Sequence, residues 1–90
     1  MSLSIAYPRV GDIVLETCQI SDDQALGKHI IIGAKNTFGD NWVYTLHTIW
    51  ASSHKWNSGL KPGDTWTIRR SNMVRKRTLW SLFWRAENGV

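Results

Sequence analysis

Nine consecutive residues, WVYTLHTIW (42–50), alternate with a period of two, and this run limits the fold more than any other feature. One face carries Trp42, Tyr44, Leu46, Thr48 and Trp50; the other carries Val43, Thr45, His47 and Ile49. Aromatic and β-branched residues in alternation suit a pleated, half-buried strand. The rest of the chain must supply partners for it.

Those partners are legible as short β-forming runs between turns. PRVGDIVLETCQI (8–20) passes from a Pro and a Gly-Asp turn into Ile13, Val14, Leu15 and Thr17. SDDQALGK (21–28) reads as a polar loop, and HIIIGAK (29–35) as a short strand buried near its middle. NTFGDN (36–41) and LKPGD (60–64) are dense in turn formers, ASSHKWNSG (51–59) is a loop, and TWTIRR (65–70) is a further strand. Gly-Asp precedes three of these segments, at Gly11-Asp12, Gly39-Asp40 and Gly63-Asp64. An Asp at such a place ordinarily caps the turn backbone.

TLWSLFWRA (78–86) reads two ways. As a strand it aligns Trp80, Leu82 and Trp84 on one face, with Leu79, Ser81, Phe83 and Arg85 on the other. As a helix it groups Leu79, Leu82, Phe83 and Ala86, with Asn88-Gly89 as a C-cap. Three bases at its start oppose the helix, because cations crowd the positive end of the macrodipole. The strand is preferred. About five strands at short spacing predict a mainly β fold: a small, strongly bent antiparallel sheet or an SH3/OB-like barrel. The alternative is an α+β fold with a C-terminal helix at about 73–87.

Ninety residues and 42% apolar content fit a single domain, 1–90, with a real core. Six tryptophans can each bury roughly 150–250 Å², which stabilises a small core and leaves apolar surface for a homodimer. Cys18 is the one cysteine, so no intrachain disulfide or cysteine zinc site can form. A reducing, cytoplasmic setting is expected, with no signal peptide and no membrane span, since no apolar run approaches ~20 residues.

The sequence is poor in catalytic signatures. His29, His47 and His54 have no metal-ligand spacing, and phosphate-cradling glycine motifs are absent. His47, in mid-strand, suits a hydrogen-bonded structural role, and Cys18 a buried strand position. A binding protein without cofactor or metal is expected rather than an enzyme.

Charge points to the kind of partner. Residues 1–45 hold three bases against five acids, and residues 46–90 hold eight bases against Asp64 and Glu87 alone. RRSNMVRKR (69–77) concentrates Arg69, Arg70, Arg75, Lys76 and Arg77 with no acid. Were 65–70 and 75–84 a hairpin, Arg70 would face Arg75 and Arg69 would face Lys76, an arrangement that destabilises a strand pair. Guanidinium forks suit phosphate oxygens. Lys55 and Trp56 in a polar loop, and Phe38 in a turn, add a cation and two aromatics able to stack on bases. These residues together predict a nucleic-acid-binding module for single strands. The alternative partner is an acidic protein surface, docked by the same basic hairpin in a small regulator or inhibitor.

Overall fold

The structure is a computed structural model that describes residues 8–18, 25–39, 41–52, 60–73 and 78–85. Five strands, β1 (Ile13–Cys18), β2 (Ala25–Phe38), β3 (Asn41–Ala51), β4 (Thr65–Arg69) and β5 (Thr78–Trp84), form one antiparallel sheet. A single helical turn, α1 (Arg70–Met73), lies between β4 and β5. Strand order is β4-β3-β2-β1-β5, so the sheet is a meander whose last strand returns to pair with the first. The mainly β expectation holds. The sheet is open rather than a closed barrel, with β4 and β5 at its two edges.

This order overturns the β4–β5 hairpin. Arg70 begins α1 instead of a tight turn, and Met73 at its end is fully buried against Val14, Ile31, Tyr44, Leu46 and Trp80. Burying an unbranched apolar side chain there stabilises by roughly 1.5–3 kcal/mol. The chain is thereby carried under the sheet from one edge to the other. Because β4 and β5 do not pair, the like-charge cost of that hairpin does not arise. The C-terminal helix is likewise not formed over 78–84, where Trp80 and Leu82 follow the period of two into the core.

Two boundaries differ from the sequence reading. β2 begins at Ala25, inside the segment read as a polar loop, and runs 14 residues to Phe38, which pairs with Asn41 rather than sitting in the turn. The length is tolerated because three register irregularities let β2 bend along β3. Leu26 anchors its start, buried, and its carbonyl accepts from the Ser52 amide at 2.9 Å.

Two of the three Gly-Asp turns work as expected and are near copies; Asp40 of the third lies outside the described residues. Gly11 and Gly63 have φ of 97° and 95°, a region that favours glycine. The Arg9 and Lys61 amides donate to Asp12 Oδ2 and Asp64 Oδ2, three residues on, at 2.8 and 2.9 Å. Each turn then docks on a strand: Gly11 and Asp12 bracket Ile31, and Gly63 and Asp64 bracket Thr48, through paired 2.8 Å backbone bonds.

Alternation divides the sheet into two faces. Asp12, Val14 and Glu16, then His29 and Ile31, then Tyr44, Leu46 and Thr48, then Trp66, Ile68, Trp80 and Leu82 point inward and make the core or its rim. The residues between them point outward.

Candidate nucleic-acid interface

The outward face is assembled by cross-strand register, since directly opposed residues share a face. Near the β2–β3 tip, Lys35 opposes Val43, which opposes Arg69. Nearer the sheet centre, Ile13 opposes both Trp84 and Ile30. Leu15 opposes Ser81 and Lys28, and Lys28 opposes Trp50. Phe83 fills the irregularity between the Leu82 and Trp84 pairings and stands under Lys28, whose Nζ lies 4.0 Å from its ring centroid.

The electrostatics of this face are one-signed. It carries Lys28, Lys35 and Arg69 with no carboxylate among the described residues. The three acids among the described residues are all placed elsewhere. Asp12 is buried beneath the sheet end with Arg85, Glu16 points inward to His29, and Asp64 caps its turn. Lys35 and Arg69 are exposed and stand two strands apart, roughly 10 Å.

Arg69 also sits where two shallow depressions adjoin. One is lined by Val43, Thr67, Ile68, Ser71 and Asn72, the other by Thr37, Asn41, Trp42 and Ser71. Hydroxyls, amides and one guanidinium around an open depression can receive an anion's oxygens. Phe38, 81% exposed, projects from the same hairpin end. The fold thus brings together Arg69 and Phe38, two of the residues singled out in the sequence. Arg70 is half-buried in α1, off the outward face. Arg75, Lys76, Arg77, Lys55 and Trp56 lie outside the described residues.

The aromatic surface lies where sequence reasoning did not put it. Trp84 was aligned with the core residues Trp80 and Leu82; the irregularity at Phe83 turns it outward, and it is half exposed, as is Phe83. Trp50 leaves the Trp42–Thr48 face by a similar slip between Lys28 and His29. A strict period of two could not reveal either. The signal available was an aromatic pair, Phe83-Trp84, which no strand can bury on one face.

The inner face holds buried polar groups, of which Thr48, His29 and Trp66 form a linked set. Trp66 Nε1 can only donate, and it donates to Thr48 Oγ1 at 3.0 Å. Thr48 Oγ1 is also 3.0 Å from His29 Nδ1. On the other side of the ring, His29 Nε2 lies 3.3 Å from Glu16 Oε1. His29 is fully buried, edge-on to Trp66 and tilted to Trp80. Gly27 makes room for it: a β-carbon there would lie 2.9 Å from His29 Cε1 and Nε2. These contacts hold the imidazole as a structural group, away from solvent. His47 is structural too, 3.2 Å from Thr65 Oγ1, and Cys18 is buried as expected.

Asp12 anchors the sheet end. Burial alone would push its carboxyl up, but the Arg85 guanidinium, at 3.0 and 2.7 Å, and the Arg9 amide more than offset this and hold it below its ordinary value. The same bond raises Arg85. Among the described residues no three His, Cys, Asp or Glu converge as a metal site, and no helix is long and apolar enough to cross a membrane. No protein-family model, curated protein or solved structure matches this chain, so its function is argued from its own residues.

Proposed function

We propose that this protein is a small, non-catalytic binding module for single-stranded nucleic acid, held against the outward face of the sheet. One observation carries the reading: that face combines Lys28, Lys35 and Arg69 with exposed aromatics and no described carboxylate, while the described acids are capped or paired elsewhere. Backbone phosphates supply most nonspecific affinity, and aromatic platforms add sequence-tolerant stacking. Among the described residues no helix exceeds a single turn, so none is long enough to read a duplex groove, which favours a single strand.

The test is intrinsic Trp fluorescence titrated with a 12-nucleotide oligothymidylate across a salt series. Affinity falls steeply with salt, and Arg69→Ala lowers the log–log slope by about 0.7 for the phosphate it releases. An affinity independent of salt, or a slope unchanged in an Arg69→Ala/Lys35→Ala double variant, rejects the reading. A protein-interaction role is the second reading, favoured by Phe38, whose 81% exposure has no use in the fold. In that case the same titration gives no fluorescence change, and an acidic protein partner competes for the Phe38 end.

A further inference from the structure

We infer that Lys28 and Phe83, flanked by Trp50 and Trp84, form a second contact site on the outward face: a base-stacking position with its own phosphate clamp. The inference rests on the nucleic-acid reading above and names where bases, rather than phosphates alone, are held.

Three observations converge on it. Phe83, Trp84 and Trp50 are 54%, 51% and 44% exposed, although side chains of this size normally bury most of their area in a fold this small. Two of them border one cation. Lys28 is the direct neighbour of Trp50 across β2–β3, and its ammonium lies 4.0 Å from the Phe83 centroid. Finally, no carboxylate among the described residues shares the face to compete with a phosphate for Lys28.

The geometry gives each group a job. Lys28 occupies one side of the Phe83 ring and leaves the other for a base. Its three ammonium hydrogens are more than a ring face uses, and they can bond the phosphate linking that base to the next. Trp50 lies on the far side of Lys28, and β3 and β5 are three strand spacings apart, about 14 Å. A short extended segment therefore spans Phe83, Lys28 and Trp50. The site is separate from the Arg69 corner, which lies toward the β2–β3 tip with Phe38 at the same end. A strand contacting both would fall at the lower end of the ~4–16 nucleotides typical of a single small β module.

The experiment compares affinity for the 12-nucleotide oligothymidylate in wild type, Phe83→Leu, Phe83→Tyr, Lys28→Gln and Arg69→Ala. Thermal unfolding of each variant serves as the fold control. Phe83→Leu keeps apolar bulk but loses the π face, and affinity drops about tenfold with the salt slope unchanged, within the range for one stacked base. Phe83→Tyr restores it. Lys28→Gln lowers the slope by about 0.7, as one phosphate contact requires. Should Phe83→Leu and Lys28→Gln bind like wild type while Arg69→Ala binds weakly, this site is wrong and the module reading stands. Should wild type itself fail to bind, both fall. A wild-type dimer in sedimentation that Trp84→Ser dissociates, with oligonucleotide affinity unaltered, assigns the face to a second copy of the chain and also overturns the site.

Discussion

The two faces of one sheet follow opposite rules. Inside, two buried titratable groups have matched neighbours: Asp12 has Arg85 and the Arg9 amide, and His29 lies between Thr48 and Glu16. Outside, Lys28, Lys35 and Arg69 share a surface with no described carboxylate, and three large aromatics stay half exposed. Unpaired polar groups are costly in a core and cheap in water, so the inner arrangement is what folding demands. The outer one is not. A face that folding leaves unconstrained, yet that gathers one sign of charge around aromatic rings, is where we propose that a partner binds.

That contrast can be broken by substitution. Trp80→Ala, which empties the largest fully buried side-chain volume, should cost about 3–5 kcal/mol in urea unfolding and leave a barely folded chain. Thr48→Val should cost about 1–3 kcal/mol, because it strands the Trp66 indole and removes the hydroxyl partner of His29. Adding a methyl group with Gly27→Ala should cost a similar amount, about 1–3 kcal/mol, by pressing on the His29 ring.

Smaller and tied to pH is the Asp12 contribution. Its folded pKa is depressed, so its stabilisation is complete above the unfolded carboxylate value of about 3.9 and fades as pH falls through the folded value. Asp12→Asn should flatten that acid limb of the stability profile; an unaltered limb would assign acid sensitivity to other carboxylates. Smallest of all, Lys35→Gln or Phe83→Ala should change stability by no more than about 0.5 kcal/mol, since neither side chain is buried. A loss of several kcal/mol from either would erase the distinction between the faces.

Much of the scaffold was readable from local residues. The 42–50 alternation gave β3 and its buried set from Tyr44 to Thr48, and Gly-Asp pairs marked turns at 11–12 and 63–64. The site was less readable. Arg69 and Phe38 are exposed at one end of the sheet, but the basic hairpin expected around Arg69 does not form, because strand partners depend on contacts between residues far apart in the chain. Phe83 and Trp84 escaped because a single inserted residue in a strand exchanges its faces.

The near-twin turns show where the division falls. In both, a glycine free to take positive φ and an Asp reaching back three residues settle the backbone locally, whatever surrounds them. The sequence alone determined that much, along with the strand periods and the excess of positive charge. Only the tertiary structure decided that Asp12 is buried against an arginine 73 residues away while Asp64 stays half-buried. It likewise decided that the bases of two strands, β2 and β4, meet on one surface. Turns and periods arise from dihedral preferences within a few residues; charge neighbours are set by packing, where any two parts of the chain can meet.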